Sequence, residues 1–284
     1  MVTFRNLLAC AALLPASVHA AEPLRVLSFN LRYINPGDTD ARTWVARRDQ
    51  VGKIIRDDKA DLIGVQEAFR SMLDDVAERV PGYQEIGVGR EDGGAAGEYT
   101  AILVRRDRFA VQDSGTFWLS DTPEVPNSRT WNNRVTRICT WARLQDKTDG
   151  KIFYFYNTHL DHESQEAREK GVELILNHLA ARSPSAPFVI TGDFNAGEDN
   201  PAIAKLKAAD VQPIDSWRGL HLQIPASESG TAHGFSGAKD QKKIDYIFVP
   251  NKTRLIEAEI LHDNENGNYP SDHYPIRATF EFVR

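Results

Sequence analysis

Six short apolar runs of this sequence end in an acid, an amide or a histidine, and this feature constrains the fold more than any other. The polar residues at these ends are Asn30, Glu67, His159, Asp193 with Asn195, Asp245, and Asp272 with His273. A single polar residue after a strand is ordinary turn chemistry, because such side chains bond to their own backbone there. Six such endings predict a sheet whose strands end on the same side and bring these side chains into one cluster.

Apolar and amphipathic segments alternate along the rest of the chain. Helical spacing of apolar residues predicts helices over residues 42–59, 71–79 and 165–181. Runs rich in β-branched and aromatic residues predict strands over residues 24–30, 61–67, 99–104, 137–144, 151–158, 188–192, 244–250 and 276–283. Residues 91–98 and 116–134 are expected to form long surface loops. This mixture of elements predicts an α/β sandwich with mixed or antiparallel sheets.

The first twenty residues have the pattern of a secretory signal peptide. A cationic start at Arg5 precedes an apolar stretch over residues 7–14, and small residues follow at the end of the segment. This pattern predicts cleavage before Ala21. We therefore expect a signal peptide over residues 1–20 and a secreted or periplasmic protein in which residues 21–284 form one catalytic domain.

Two other interpretations of the N-terminal segment are a membrane anchor and a lipoprotein. Pro15 and His19 interrupt the apolar stretch, whereas a membrane span needs ~20 apolar residues. No transmembrane anchor is therefore expected after cleavage. Cys10 resembles a bacterial lipoprotein cleavage site, but most of the apolar run follows this cysteine instead of preceding it. Lipid attachment at Cys10 stays open as the alternative.

Charge and cysteine content narrow the functional classes. The formal net charge of −6 lacks the electrostatic footprint of a nonspecific nucleic-acid binder, although a local basic groove is compatible with it. Cys139 is the one cysteine left once residues 1–20 are removed, so an internal disulfide is excluded. Its apolar neighbours Ile138 and Trp141 predict a small buried side chain and not a nucleophile.

The clustered strand ends offer mainly oxygen ligands. Carboxylates brought together without partners repel each other unless a cation lies between them. No cysteine belongs to the set, and few histidines are placed for zinc. Carboxylate and amide oxygens are the ligands of hard cations, so the sequence predicts a Mg²⁺ site, with Mn²⁺ as the alternative ion.

The same motifs, in this order, resemble those of the endonuclease/exonuclease/phosphatase superfamily. They are Asn30, Glu67, Thr-His-Leu at 158–160, Gly-Asp-Phe-Asn at 192–195, Ile-Asp-Tyr at 244–246 and Ser-Asp-His at 271–273. The resemblance extends from residue 24 to the C-terminus, and it is nearest to secreted bacterial members and to the nocturnin and deadenylase branch. It implies a four-layered α/β sandwich, in which two packed sheets are flanked by helices and the site lies at one edge.

The resemblance also implies the metal ligands. Glu67 would be the principal ligand of the Mg²⁺ ion, and Asn30 and Asp272 would complete the shell of metal and water. This assignment agrees with the chemistry of phosphate esters, because a divalent cation stabilises the charge that develops on the phosphoryl oxygens while water attacks.

Five further residues receive catalytic roles from the resemblance. Asp193 and Asn195 would orient the attacking water and bind the phosphate. His159 would contact the phosphate or help to protonate the leaving oxygen. Asp245 and His273 would form a carboxylate–imidazole pair, in which the aspartate fixes the tautomer and raises the basicity of the ring.

One arginine-rich stretch is a candidate for substrate binding. Its arginines are Arg129, Arg134, Arg137 and Arg143, with Trp131 and Trp141 between them. A guanidinium suits a phosphate group, and an aromatic face suits a base or a sugar ring. Arg137 opens a predicted strand and is the best candidate for a phosphate contact; the alternative is a solvated arginine face.

Asp161 and His233 are two weaker candidates for substrate binding. Asp161 follows His159 by two residues and would face the same side of a continuing strand, although a satisfied turn acid is the alternative. His162 should face the opposite side and lie at the surface. His233 lies in a segment that could form a loop over the site, and the alternative is a loop histidine without a role.

Three hypotheses for the function follow. The leading one is a secreted Mg²⁺-dependent phosphoesterase that hydrolyses phosphodiester bonds of nucleic acids or nucleotides. The second is a phosphatase or phospholipase C-like hydrolase that acts on inositol phosphates or sphingomyelin-type head groups; its lipid version needs an exposed apolar hairpin, and none stands out. The third is an inactive binding module that keeps the fold. No stable protein partner is implied beyond the phosphate-ester substrate.

Overall fold

A computed structural model describes residues 22–182 and 186–283. The expected signal peptide over residues 1–20 and the lipoprotein alternative at Cys10 lie outside the described residues. Within those residues, none of the helices combines the length and the apolar character that crossing a membrane requires.

Twelve strands in the described part of the chain form two six-stranded sheets. The first sheet has the order β11-β12-β1-β2-β4-β3. Its strands are β1 (Leu24–Asn30), β2 (Leu62–Gln66), β3 (Tyr83–Ile86), β4 (Ile102–Arg105), β11 (Thr253–Ile260) and β12 (Ile276–Phe282). Strand β1 runs parallel to β2 and antiparallel to β12, so the sheet is mixed.

The second sheet has the order β5-β6-β7-β8-β10-β9. Its strands are β5 (Phe109–Trp118), β6 (Ile138–Asp146), β7 (Ile152–His159), β8 (Phe188–Asp193), β9 (Pro213–Asp215) and β10 (Asp245–Pro250). Strands β7 and β8 are parallel, and β8 and β10 are antiparallel. Both sheets are therefore mixed, as the sequence predicts.

Helices cover the outer face of each sheet. Helices α1 (Trp44–Asp58) and α2 (Arg70–Arg79) pack their apolar side chains on the first sheet. Helices α3 (Gln165–Ala181) and α4 (Pro201–Lys207) do the same on the second sheet. A third apolar cluster fills the space between the sheets. This arrangement confirms the four-layered α/β sandwich, because each amphipathic element buries its apolar face against a neighbouring layer.

Sequence patterns missed the short and edge elements. Strands β3, β5, β9 and β11 and helices α4 and α5 (Ser216–Leu220) were not predicted. Residues 116–118 end strand β5 instead of opening a loop, and regular strand β4 begins at Ile102 instead of residue 99. Edge strand β11 alternates exposed and partly buried positions and so lacks a continuous apolar run. Cys139 is buried and unpaired, as predicted.

A polar network joins the two sheets beneath one edge of the sandwich. Asn157 of β7 donates hydrogen bonds to the carbonyl oxygens of Val65 and Ala101 in the first sheet, at 2.8 and 2.9 Å. A Cβ atom at Gly64 would lie 2.2 Å from Oγ1 of Thr191 in β8, so glycine is required where the sheets approach. The network fixes the relative position of strand ends that come from different sheets.

Candidate active site

Three adjacent strands of the second sheet place His159, Asp193 and Asp245 side by side. His159 of β7 pairs with Asp193 of β8, and Asp193 pairs with Asp245 of β10. Side chains that are paired across neighbouring strands point to the same face, so these three converge. Nε2 of His159 lies 3.5 Å from Oδ2 of Asp193. All three residues are buried.

The segment before β12 brings His273 to the same aspartate. Its Nε2 lies 3.9 Å from Oδ2 of Asp193, and its Nδ1 lies 2.9 Å from Oδ2 of Asp245. Asp245 therefore accepts a hydrogen bond from Nδ1 and orients Nε2 toward Asp193. The expected carboxylate–imidazole pair is present in the structure.

Burial and neighbouring charges set the protonation states of this group. Burial, together with the Asp245 carboxylate, raises the pKa of Asp193 to about 7. Burial by itself would lower the pKa of His273, but Asp245 and Asp193 raise this pKa well above its ordinary value. Burial and the guanidinium of Arg137 lower the pKa of His159 well below its ordinary value. At neutral pH, His273 is therefore the charged imidazole and His159 the neutral one.

The first sheet contributes Asn30 and Glu67. Nδ2 of Asn30 donates hydrogen bonds to Oε1 of Glu67 and to Oδ2 of Asp193, both at 3.0 Å. The backbone N–H of Tyr33 donates to Oε2 of Glu67 at 3.0 Å. The amide of Asn30 thus links two carboxylates, Glu67 after a strand of the first sheet and Asp193 at the end of a strand of the second sheet. The predicted convergence of the strand ends is observed.

Two of the site residues predicted from the sequence have left-handed backbone conformations. Glu67 has a φ of 61° and Asn195 a φ of 47°. Asparagine tolerates this region, whereas glutamate enters it at a cost. The backbone N–H of Asn195 donates to Oδ1 of Asp193 at 2.8 Å, and its Nδ2 donates to the carbonyl oxygen of Leu160 at 3.0 Å. These contacts hold Asn195 beside Asp193.

Asp272 completes the acidic side of the site. Its Oδ2 lies 3.3 Å from Nη1 of Arg32. Arg32 is itself held by Asp38, which accepts two hydrogen bonds at 3.1 Å. Burial raises the pKa of Asp272. The pairing with Arg32 offsets part of the negative charge that Glu67, Asp193 and Asp272 bring together.

These residues surround a cleft of about 500 Å³. The predicted residues that line it are Glu67, Arg137, His159, Asp193, Asn195, Asp272 and His273. Asn30 and Asp245 are buried and contact the lining residues through hydrogen bonds. The lining also includes residues that were not proposed for the site, namely Arg32, Tyr33, Arg90, Glu98, Val135 and His162. His162 is exposed, as expected, but it lines the cleft instead of facing the opposite side.

The missed residues lie in loops, where no periodic pattern marks them. Arg32 and Tyr33 follow Asn30 by two and three residues, and this proximity in sequence was the one available signal. Arg90 and Glu98 flank a glycine-rich segment and meet through a bidentate ion pair, which sequence spacing does not predict. His162 turns toward the cleft because the strand ends at His159, so strand alternation no longer applies.

The candidates for substrate binding are placed differently from one another. Arg137 lines the cleft, as expected for a phosphate contact. Asp161 lies behind it: Oδ1 accepts hydrogen bonds from the backbone N–H groups of Glu163 and Ser164, and Oδ2 lies 3.8 Å from Nε of Arg137. Asp161 is thus held as a turn acid through Oδ1, whereas its buried Oδ2 faces Arg137 without a hydrogen-bond partner in the described part of the chain.

His233 is not found over the cleft, which corrects the expected position. Its ring stacks on Tyr274 with centroids 4.0 Å apart, and its Nδ1 accepts a hydrogen bond from the backbone N–H of Gly237. The residue is buried and does not line the cleft. The position of His233 is therefore set by aromatic packing and not by contact with a ligand in the cleft.

The aromatic residues of the arginine-rich stretch also lie away from the cleft. Trp131 is buried and donates a hydrogen bond to Asp121, and Trp141 packs on His178. Arg134 forms an exposed ion pair with Glu163. Of the four arginines in this stretch, Arg137 is the one that lines the cleft.

The side chains of the site fit a divalent cation. Glu67, His159 and Asp193 offer ligand atoms that all lie within 4.8 Å of one another, and Asp193, Asp245 and His273 form a second such group. The second group is closed by the hydrogen bond between Asp245 and His273. The first group opens on the cleft next to Asp272, and its carboxylate oxygens suit a hard ion.

The sequence matches the Endonuclease/Exonuclease/phosphatase family over residues 27–273. This span includes the elements that carry the strand-end acids and histidines. The chain therefore belongs to this family, whose members are metal-dependent phosphoester hydrolases.

Two solved structures from Bacteroides thetaiotaomicron are similar in sequence as well as in fold. A family protein described as an endonuclease/exonuclease/phosphatase is 31% identical, with a TM-score of 0.84 over 93% of this chain and 100% of the other. A mannosyl-6-phosphatase is also 31% identical, with a TM-score of 0.83 over 91% and 100% of the two chains. Both likenesses cover more than nine tenths of this chain.

More distant relatives include eukaryotic proteins. Protein angel of Drosophila melanogaster is 25% identical over 264 residues, which cover 85% of this chain and 73% of that protein. The human nocturnin catalytic domain is 19% identical, with a TM-score of 0.74 over 92% and 95% of the two chains. At that identity, the likeness to nocturnin shows a shared fold.

Proposed function

We propose that this protein is a Mg²⁺-dependent phosphatase that removes the phosphate from a small polar compound such as a sugar phosphate. The observation that carries the proposal is the cleft: acids and histidines converge at its floor, and charged side chains form its walls. Its volume of about 500 Å³ lies in the ~300–1,000 Å³ range of small-molecule sites. The similarity to a mannosyl-6-phosphatase supports the same substrate class.

The chain's own residues divide the work of phosphate hydrolysis. Glu67 and Asp272 would hold the Mg²⁺ ion, with Asn30 fixing the orientation of the Glu67 carboxylate. When bound, the ion supplies positive charge at the phosphoryl oxygens. The charged imidazole of His273 would donate to a phosphoryl oxygen through Nε2, and the neutral imidazole of His159, which lies near the same oxygen of Asp193, would donate as well.

Asp193 is placed to accept a proton from the attacking water. Its pKa of about 7 suits a group that gains and loses a proton near neutral pH. Asn195 is held beside it through the hydrogen bond to Oδ1 and orients the water and the phosphate. The roles of both residues follow the resemblance, and their positions around one cleft support them.

Phosphodiesters of nucleic acids are the second candidate substrates. The feature that favoured them was an arginine stretch with two tryptophans, but these tryptophans pack away from the cleft. Tyr33 supplies the one aromatic ring, apart from histidine, in the described lining. Binding to single strands uses several stacking platforms along a basic groove, whereas charges of both signs line this cleft.

A substrate panel tests the proposal. Residues 21–284 are assayed with mannose 6-phosphate, p-nitrophenyl phosphate, bis(p-nitrophenyl) phosphate and a single-stranded oligonucleotide, with Mg²⁺ or with EDTA. We expect phosphate release from the two monoesters with Mg²⁺ and none with EDTA. Asp193→Asn should be inactive, whereas Asp113→Asn, which changes an exposed acid on β5, should behave as wild type. Faster cleavage of the diester or the oligonucleotide would favour the second candidate.

We also propose secretion or periplasmic export, on the strength of the signal-peptide pattern in residues 1–20. Expression of the full chain in a Gram-negative host, followed by fractionation and N-terminal sequencing, tests this point. The expected product lies outside the cytoplasm and begins at Ala21. A cytoplasmic product that retains Met1 would reject export, and a product that begins at Cys10 would establish the lipoprotein alternative.

A further inference from the structure

Four residues build one wall of the cleft without belonging to the proposed metal and phosphate groups. They are Arg90, Glu98, Arg137 and His162, and they are called the charged wall below. Arg90 and Glu98 form a bidentate pair with distances of 2.8 and 2.7 Å, and both side chains are largely buried. The carbonyl oxygen of Arg90 also accepts a hydrogen bond from Nε1 of Trp118, so this half of the wall is fixed in place.

Arg137 leaves donor capacity unused. Its side chain is 6% exposed, and its Nη2 donates to Nδ1 of His162 at 2.9 Å. Its buried Nε has no hydrogen-bond partner among the described residues. This Nε faces Oδ2 of Asp161 behind the wall at 3.8 Å, whereas Arg137 also lines the cleft, where its other N–H groups can donate to a ligand.

The balance of charge in the wall indicates the kind of ligand. Two guanidiniums face the carboxylates of Glu98 and of Asp161 behind the wall, so the region is close to neutral overall. A second phosphate would require an excess of positive charge, and an aromatic base would require a flat apolar face. Hydroxyl groups both donate and accept hydrogen bonds, and they fit fixed donors and acceptors placed side by side.

We propose that the charged wall binds the hydroxyl groups of the sugar that bears the scissile phosphate, with Glu98 accepting and Arg90 and Arg137 donating hydrogen bonds. This inference rests on the proposed function. It makes Glu98 a determinant of specificity that contacts the organic part of the substrate. A substitution of Glu98 should therefore leave the KM for an ester without hydroxyl groups nearly unchanged.

Glu98→Gln provides the test, with mannose 6-phosphate and p-nitrophenyl phosphate as probes. Loss of a charge-assisted hydrogen bond should raise the KM for mannose 6-phosphate about 10-fold. The KM for p-nitrophenyl phosphate should change less than about 2-fold, because the nitrophenyl group has no hydroxyl group to bind. Glu85→Gln is the matched control, since Glu85 forms a similar bidentate pair with Arg70 outside the cleft.

The outcomes separate the inference from the function on which it rests. If Glu98→Gln raised the KM equally for both probes, or changed neither KM, the sugar subsite would be overturned while the phosphatase activity would stand. The sugar subsite would also be overturned if the wild-type enzyme hydrolysed p-nitrophenyl phosphate but neither mannose 6-phosphate nor other hexose phosphates. Inactivity of the wild type on every monoester would reject the proposed function itself. Arg90→Lys, checked by its melting temperature, repeats the test if Glu98→Gln does not fold.

A separate observation concerns Arg47 of helix α1, whose side chain is buried. All of its hydrogen bonds go to backbone carbonyl oxygens. Nη1 donates to Leu31 and Pro270 at 2.8 and 2.6 Å, Nη2 to Arg32 at 3.0 Å, and Nε to Arg42 at 2.7 Å. Leu31 and Arg32 follow Asn30, and Pro270 precedes Asp272 by two residues. One guanidinium therefore links the two loops that carry these proposed metal-site residues.

We infer that Arg47 is a positioning residue for the metal site. Arg47→Lys keeps the charge but cannot reach four carbonyl groups, so the loops lose their common anchor. The concentration of Mn²⁺ that half-saturates thermal stabilisation should rise at least ~10-fold, in line with other residues that orient metal ligands. The kcat for p-nitrophenyl phosphate should fall at saturating substrate, while its KM changes little.

Arg48→Lys is the matched control, because Arg48 pairs with Asp75 away from the cleft. A wild-type Mn²⁺ midpoint in Arg47→Lys, with a lower melting temperature alone, would reduce Arg47 to a structural residue and overturn the inference. Arg47→Gln keeps amide donors and removes the charge, and it serves as the second variant if the lysine substitution prevents folding.

Discussion

Buried charges lie at both ends of the sandwich, and the two ends differ in whether their carboxylates are paired with cationic side chains. At the end opposite the cleft, Asp61 accepts hydrogen bonds from the backbone N–H of Arg25 and from Arg108, at 2.9 and 2.7 Å, and lies 2.8 Å from Arg105. Arg108 in turn holds Asp146 at 3.0 Å. Each carboxylate at this end therefore has a cationic partner.

At the cleft end, the carboxylates approach one another instead. Burial raises the pKa of both Asp61 and Asp193, but guanidiniums lower it again at Asp61, whereas Asp245 raises it further at Asp193. The comparison shows what distinguishes a structural charge cluster from a functional one. Burial is common to both, and the unbalanced like charge marks the end that is suited to a cation and a substrate.

The sharpest way to break this contrast is Asp193→Asn. We expect the kcat/KM for a phosphate monoester to fall at least ~10³-fold, because the proton acceptor and a neighbour of the metal site are lost. The free energy of unfolding, measured with urea, should stay the same or rise by about 1 kcal/mol as repulsion with Asp245 is removed. A strongly destabilised variant would show that Asp193 is a structural charge after all.

The corresponding substitution at the opposite end of the sandwich is Asp61→Asn. Removing one partner of a buried ion pair leaves Arg108 undercompensated, so the free energy of unfolding should fall by about 3 kcal/mol. The kcat/KM of the folded enzyme should stay within ~2-fold of wild type. Urea denaturation and steady-state assays at low temperature measure both quantities, and a large loss of turnover would remove the functional distinction between the ends.

Two further variants sharpen the assignment of roles within the cleft. Glu67→Ala and His159→Ala should each lower kcat by at least ~10²-fold, through loss of a metal ligand and of a phosphate donor. Far-UV circular dichroism should be unchanged in both. Raising Mg²⁺ above the concentration that saturates the wild type should recover part of the activity of Glu67→Ala but not of His159→Ala, and this difference would identify Glu67 as the metal ligand. Near-wild-type turnover in either variant would reject its role.

Metal binding at the cleft should stabilise the native state whether or not the charge cluster at the other end is intact. A ligand at 100 times its Kd stabilises the native state by about 2.7 kcal/mol, which corresponds to a few degrees in Tm for a chain of this size. We expect this shift with Mg²⁺ in the wild type and in Asp61→Asn, and its loss in Glu67→Gln. Differential scanning calorimetry measures it, and an equal shift in Glu67→Gln would place the ion elsewhere.

The strand ends of the site could be predicted from the sequence because they obey a simple rule of sheets. A polar residue directly after a buried strand lies at the sheet edge, and parallel neighbours such as β1 and β2 share that edge. Asn30, Glu67 and Asp193 therefore came together as expected. The mixed sheets were expected from the mixture of strand and helix patterns, and the two packed sheets from the family resemblance.

The walls of the cleft could not be predicted in this way. Glu98 and Arg90 meet through a loop whose path depends on packing against Trp118, and no periodicity encodes such a contact. His233 shows the opposite failure: its position in a loop near the site suggested a ligand, but stacking on Tyr274 buries it. Sequence proximity to a site says little when an aromatic neighbour competes for the side chain.

The left-handed backbone at Glu67 has a consequence for the durability of the enzyme. Glycine adopts a φ of 61° without the Cβ clash that any other side chain meets, so this position would suit glycine on conformational grounds. The free energy of unfolding of Glu67→Gly should thus be about 1 kcal/mol higher than that of Glu67→Ala, although both variants lose the metal ligand. Stability would favour glycine at position 67, whereas metal binding requires a carboxylate, and the sequence has the carboxylate.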